Sequence, residues 1–305
     1  MTTVVLNPEL DAISRLIVLG AMTLYAIAFV MFSVSLARAA NAGKDKKQIA
    51  AAALFERIAL IITIVSVVAH GAGVLTRGIA AARVPWANMY EFSVTGSFVV
   101  MSIYLLSLIF RPIRYLAAFV TGFVVLILGS ATTLFYVEVK SLMPALQNYW
   151  LLIHVTVAIL ATAFFMIGAA LAFIYLMREW EWFNKTKSPL VVSVRKVLAI
   201  MPKSDKLERQ SYQFNIIGLI LWTFTLIAGA IWADKAWHRF WGWDTKEVWT
   251  FIIWCIYMGY GHATVTRGWD GKRAAWLSLI GFVAILFNFT IVNLYFKGLH
   301  VYSGL

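Results

Sequence analysis

Five histidines, His70, His154, His238, His262 and His300, and the segment 232–249, WADKAWHRFWGWDTKEVW, carry the side chains of this chain that could do chemistry. The segment holds Trp232, Trp237, Trp241, Trp243 and Trp249 with Phe240 among them, interleaved with Asp234, Lys235, Arg239, Asp244, Lys246 and Glu247. Tryptophan favours membrane interfaces, which accounts for an isolated indole. An aromatic belt does not require such mixing with charge. A broad flat ligand with an apolar body and an acidic edge uses both, aromatic faces for its plane and Lys or Arg for its carboxylates. Heme fits that description, and neutral imidazoles are common axial ligands of heme iron. Lys235, Arg239 and Lys246 are the candidates for its propionates, on charge and location.

The elements that position these groups are membrane helices. Of 305 residues, 62% are hydrophobic and 13% charged, with a mean hydropathy of +0.81, outside the usage of a soluble globular domain. Several apolar runs exceed the roughly 20 residues needed to cross about 30 Å of hydrocarbon. Read against their charged boundaries, they predict eight transmembrane helices near 14–37, 54–77, 93–110, 112–135, 150–177, 211–233, 248–266 and 273–296. The expected fold is therefore an all-α integral membrane bundle, one polytopic domain over 1–305. The loops 38–57, 111–114, 178–210 and 267–273 hold 18 of the 26 Lys and Arg. The positive-inside rule makes those loops cytoplasmic and both termini external.

This topology sorts the histidines. His154 falls at the outer start of the fifth helix, His300 just past the outer end of the eighth, and the tryptophan-rich segment exits on the same face. His262 lies in the cytoplasmic half of the seventh helix, roughly 21 Å from its outer end by helical rise. An ionisable residue inside a span is a functional-site candidate, with a satisfied structural histidine as its alternative. His70, toward the outer end of the second helix, raises the same question. The outer loop with Pro85, Trp86, Asn88, Met89, Tyr90 and Glu91 reads as a turn with an interfacial anchor. The basic connection 178–210 reads as solvated surface attracted to anionic lipid, with Trp180, Trp182 and Phe183 at the interface.

Other classes are disfavoured. The net charge of +12 comes from basic residues in short loops between spans, not from a nucleic-acid-binding module. Cys255 is the single cysteine, so the chain holds neither an internal disulfide nor a CxxC pair. Glu9 and Asp11 precede the first apolar run and no small-residue cleavage pattern follows it, which predicts a retained first helix.

The stretch WHRFWGWDTKEVWTFIIWCIYMGYGH resembles the tryptophan-rich signature, the WWD domain, of heme-handling membrane proteins. Within that group the chain is most similar to CcsA or ResC-type subunits of system II cytochrome c synthesis, also called CcsB. Supporting marks are PWANMYE, His154 followed by Val155 opening a helix, and the closing NFTIVNLYFKGLH, which together span residues 85–302. The resemblance implies a heme b substrate held against the tryptophan-rich loop by His154 and His300 as external ligands, with His262 as a transmembrane ligand. It implies that a ResB-type partner subunit supplies the opposite ligand at the membrane site, so His70 is not carried over. It further implies apocytochrome c as the acceptor, whose CxxCH motif receives the heme, and a bacterial plasma membrane location.

The family commonly shows WGxYWxWDPKE where this chain has Trp237 to Glu247, with its Gly, Tyr and Pro positions changed and His238 added. Gly261 replaces the Leu before the membrane histidine, and the usual HSY ending reads His300, Val301, Tyr302. None of these changes removes a ligand. The alternatives are a CcmC-like heme exporter, a CcmF-like lyase subunit, a diheme b-type electron carrier with histidines paired in the bilayer, and a secondary transporter. No paired broken helices or internal repeats stand out for the last.

Overall fold

The computed structural model describes residues 6–142, 146–181, 185–266, 269, 271–296 and 298–299. Its described residues form helices and no strand: α1 (Pro8–Ala42), α2 (Lys46–Ala80), α3 (Met89–Phe110), α4 (Ala117–Leu134), α5 (Tyr149–Glu179), α6 (Pro189–Ile200), α7 (Ser204–Trp237), α8 (Thr245–Thr266) and α9 (Lys272–Phe287). The starts are written in local chemistry. Asn7, Asp45, Asn88 and Asn148 each accept a hydrogen bond from a backbone N–H of the first turn, which satisfies donors that the helix itself leaves open.

Among the described residues, seven helical segments are long and apolar enough to cross a membrane: α1, α2, α3, Arg114–Leu134, α5, α7 and Lys272–Tyr295. The remaining long helix, α8, has 22 residues and runs among them, but its tryptophans, tyrosines and His262 lower its hydropathy. It occupies the position of the predicted seventh span. α1, α2, α5 and α7 overrun the predicted boundaries at both ends, while α4 falls within 112–135. At 35 residues each, α1 and α2 reach about 52 Å, well beyond the hydrocarbon thickness.

Two expectations need correction. The connection 178–210 contains the amphipathic helix α6, which is tied down by Arg178 Nη1 to the Leu198 carbonyl at 2.6 Å and by Lys196 Nζ to Asn41 Oδ1 at 2.9 Å. The segment 232–249 is not an outer loop throughout, because α7 continues to Trp237 and only the residues from His238 to Asp244 are non-helical.

Small residues let the helices approach, as expected where lipid offers no hydrophobic drive between them. α1 and α2 form a long hairpin in which Ser14 Oγ donates to the Gly73 carbonyl at 2.7 Å. α5 pairs with α7 through Ser211 Oγ and the Gly168 carbonyl at 2.8 Å, and Asn215 Nδ2 reaches Ser278 Oγ of α9 at 2.8 Å. Phe165 of α5 stacks on Tyr257 of α8 with ring centroids 3.6 Å apart. This buried layer of α5, α7, α8 and α9 supports the site above it.

At one end of the bundle, charges join α1, α2 and α3. Arg77 in the last turn of α2 pairs with Asp11 in the first turn of α1 and with Glu91 in the first turn of α3, and Arg83 also pairs with Glu91. All three helix-end positions suit the helix dipole.

Candidate functional site

The same end holds a partly open cavity of about 250 Å³, lined chiefly by apolar side chains. Its walls come from the Trp86–Asn88 loop with the start of α3, the middle of α4, the first half of α5 with Leu146 ahead of it, the end of α7 with the loop after it and the start of α8, and the end of α9 with the turn after it. Five separate stretches of chain thus meet in one concave surface, the shape expected of a small-molecule site.

His154 lines this cavity from the second turn of α5. Its Nδ1 lies 3.0 Å from the Thr225 carbonyl oxygen of α7. A carbonyl only accepts, so Nδ1 is the donor in this bond. Metal-binding histidines are held in this way, one ring N–H on a backbone carbonyl and the other nitrogen presented. Trp232 is buried and lies nearly parallel to the imidazole, with centroids 5.9 Å apart, and Trp237 packs edge-on against Trp232 at 4.8 Å. Gly229 permits the arrangement: a Cβ there would stand 2.8 Å from His154 Cε1.

The tryptophan-rich loop is shaped by two left-handed residues, His238 (φ 57°) and Trp243 (φ 59°). His238 is the C-cap of α7, its N–H bonding the Asp234 carbonyl at 2.9 Å, which gives the additional histidine a backbone role. Glu247 Oε2 then accepts from the N–H groups of Gly242 and Asp244, at 2.8 and 3.1 Å, closing the loop onto the first turn of α8 like the acidic half of a capping box. The result turns Phe240 and Trp241 toward the cavity. Trp243 does not line it, being 78% exposed and edge-on to Trp241. Trp249 packs on Phe287 of α9, ring to ring at 4.4 Å.

The three basic candidates separate clearly. Lys246 lines the cavity, and its Nζ donates to the Asn288 carbonyl at 3.0 Å and to Asn293 Oδ1 at 2.7 Å. Arg239 Nη1 is spent on the Gly242 carbonyl at 3.2 Å, and Lys235, with its side chain 54% exposed, pairs with Asp234. Neither lines the cavity.

Asp244 caps α8 outside the cavity wall, and a Cβ on Gly298 would collide with its carboxylate. Gly298 precedes His300 by two residues; His300 itself, like Trp182, Phe183, Lys297, Val301 and Tyr302, lies outside the described residues.

His262 is elsewhere. It is exposed on α8, sharing one face with Phe251, Cys255, Met258 and Val265, and it does not line the cavity. His70 is buried between α1, α2 and α3, edge-on to Tyr25 and Phe98, with Nδ1 3.5 Å from the Tyr25 hydroxyl.

Sequence reasoning passed over several lining residues. The loop read as a simple turn contributes Trp86, Asn88 and Met89 to the wall. Its anchor is Glu91, whose carboxylate accepts from Arg77, Arg83 and the Ala87 N–H. The Asn88-x-x-Glu91 spacing at a helix start was the available signal.

The model of the family described as cytochrome C assembly protein matches residues 86–300. A cytochrome c biogenesis protein CcsA of Prochlorococcus marinus is 32% identical over 302 residues, covering 92% of this chain and 93% of the relative. The CcsA of Guillardia theta is 33% identical, covering 75% of this chain and 80% of the relative. Among solved structures, a cytochrome c heme lyase CcmF shares the fold with a TM-score of 0.58 at 16% identity, over 95% of this chain and 48% of that one. The matched region contains α3 to α9 and the whole tryptophan-rich loop, and on these grounds the chain belongs to the cytochrome c assembly protein family.

Proposed function

We propose that this chain carries heme b to the outer face of a bacterial plasma membrane and presents it for covalent attachment to apocytochrome c, together with a ResB-type membrane subunit. One observation carries the reading. In the wall of an apolar cavity that also receives Trp241 and Lys246, the His154 imidazole is held by its Nδ1 on the Thr225 carbonyl. His154 is one axial ligand of the heme iron and His300 the other. The closeness of Gly298 to Asp244 supports this pairing, since it sets the chain two residues before His300 beside the tryptophan-rich loop.

The chain's contribution is positioning rather than bond chemistry. His154 fixes the iron, Trp232 backs the imidazole, and Phe240 and Trp241 meet the porphyrin plane. Each thiol of the acceptor's CxxCH motif then adds across a vinyl group, sulfur to one carbon and hydrogen to the other, with no net oxidation. The acceptor's own histidine displaces one axial ligand. Trp237, Trp243, Asp244, Trp249, Lys235 and Arg239 act through the loop, shaping it from behind.

His262 serves a second site whose opposite ligand belongs to the partner. Its exposure on the outward face of α8 supports that assignment, because an imidazole there meets lipid or another helix and none of the cavity. A diheme b-type carrier fits less well, since buried His70 and exposed His262 sit on different faces of different helices.

The test is the visible spectrum of the complex purified with its partner, for wild type and for His154→Ala and His300→Ala, each with and without imidazole. The expected result is loss of the low-spin reduced spectrum in both variants and its return with imidazole. Unaltered spectra in both, with cytochrome c still matured, would remove these two residues as ligands.

A further inference from the structure

Beyond the imidazole and the indoles, the cavity has a polar wall. The helix that begins as α9 widens into a π-turn at Asn288–Val292, a feature that concentrates at functional sites. Here it frees the Asn288 carbonyl to accept from Lys246 Nζ, while Asn293, just past the turn, supplies the second acceptor. Asn293 is itself fixed by Nδ2 donating to the Phe289 carbonyl at 2.7 Å. Two of the three ammonium hydrogens of Lys246 are thereby committed, and their direction sets the third.

The cavity lining also includes buried polar atoms that no described residue satisfies: Ser93 Oγ, Asn288 Oδ1 and Glu247 Oε1 are buried without a hydrogen-bond partner. Unsatisfied buried polar atoms cost roughly 1–3 kcal/mol each, so three in one cavity lining point to a ligand with polar groups. The Asn288 amide can present its oxygen or, flipped, its nitrogen as a donor to a carboxyl.

We infer that Lys246, held by Asn293 and the π-turn carbonyl of Asn288, forms with the Asn288 amide a subsite for one carboxyl group of the bound ligand, and that Asn293 is a positioning residue for it. This rests on the heme reading above, in which the carboxyl is a propionate. It narrows three basic candidates to one, because Lys235 and Arg239 do not line the cavity. Glu247 Oε1 shares the wall, and a carboxyl that keeps its proton, or a water between the two, gives that oxygen its donor. The subsite orients the porphyrin in its plane: with one acidic edge seated at Lys246, the rotation about the iron is fixed, and so are the positions of the vinyl groups.

The experiment titrates the full chain in detergent with iron protoporphyrin IX and with its dimethyl ester, which has the same ring, iron and vinyl groups and no free carboxyl. Wild type is expected to bind the free acid about tenfold more tightly, the order of one charge-assisted hydrogen bond. Lys246→Met and Asn293→Ala are expected to abolish that preference with the axial-ligand spectrum unchanged, and Lys246→Arg to retain part of it. Equal affinity of wild type for the two porphyrins overturns the subsite while leaving heme binding intact, and so does full preference in both Lys246→Met and Asn293→Ala. Binding of neither porphyrin by wild type instead overturns the heme reading on which the subsite depends. If the variants fail to fold, the wild-type comparison still decides.

Discussion

The His154 imidazole is fixed from three directions: the Thr225 carbonyl takes its Nδ1 proton, Trp232 stacks on one face, and Gly229 leaves room at the ring edge. Gly229→Ala therefore displaces the imidazole while leaving the identity of His154 unchanged. With a methyl 2.8 Å from His154 Cε1, the ring must shift by several tenths of an ångström, and the Thr225 hydrogen bond lengthens. We expect Gly229→Ala to weaken or lose the low-spin spectrum and imidazole to restore it, as for His154→Ala; an unchanged spectrum at wild-type heme occupancy would count against His154 as a ligand. The place of His154 and Trp241 in the cavity wall was legible because side-chain identity and spacing announce them, whereas Trp237, Trp243 and Trp249, expected beside them, do not line it. Thr225 and Gly229 were not legible, since one acts through its backbone carbonyl and the other by lacking a side chain. Nor did spacing distinguish Lys246 from Lys235 and Arg239. Which lysine faces a cavity depends on where α7 ends, and α7 runs to Trp237 before His238 adopts a left-handed conformation.

At the scale of elements, the loop between α7 and α8 owes its shape to Glu247. One carboxylate oxygen holds two backbone N–H groups of a turn in which Trp243 is left-handed, a conformation that costs a non-glycine residue free energy. Removing the carboxylate leaves those donors open and the strained turn without compensation. Glu247→Ala is expected to lower hydrogen-exchange protection of the Gly242 and Asp244 amides by about tenfold or more, corresponding to roughly 1–3 kcal/mol of local stability. Protection at Asn293, on the neighbouring α9 extension, should change little. Similar losses everywhere would mean that Glu247 supports the bundle and not the loop. Seven of the eight expected spans were legible from apolar run length; α8 stands where the seventh was expected but falls outside the described helices apolar enough to cross a membrane. The amphipathic helix α6 was hidden because its twelve residues, with Arg195 and Lys196 in their middle, are too short an apolar run to stand out from the basic connection around them. The π-turn leaves no compositional trace, for it is set by what α9 packs against.

For the molecule as a whole, the buried ion network explains how the cavity's far wall is held. Arg77 and Arg83 fall on the side that the positive-inside reading makes external, where basic residues are the minority. Each is matched there by an acid: Asp11 for Arg77, and Glu91 for both. Glu91 sits at the centre, accepting from Arg77 Nε at 3.0 Å, from Arg83 Nη1 at 2.6 Å and from the Ala87 N–H at 2.8 Å, and it is fully buried. Its loss leaves Arg77 with Asp11 and Arg83 with no acidic partner among the described residues, and breaking a buried pair from one side is far more costly than exchanging the pair. Glu91→Ala should thus destabilise the detergent-solubilised chain by about 3–5 kcal/mol, read as a lowered thermal midpoint. Adding Arg83→Ala should recover part of that loss, because the second change removes the uncompensated charge. The same variant releases the Ala87 N–H and with it the stretch from Trp86 to Met89 that closes the cavity. Heme affinity should therefore fall with stability in Glu91→Ala. In Arg83→Ala alone it should fall less, since Glu91 keeps Arg77 and the Ala87 N–H. A Glu91→Ala protein as stable as wild type, binding heme equally well, would show that the network is incidental to the site.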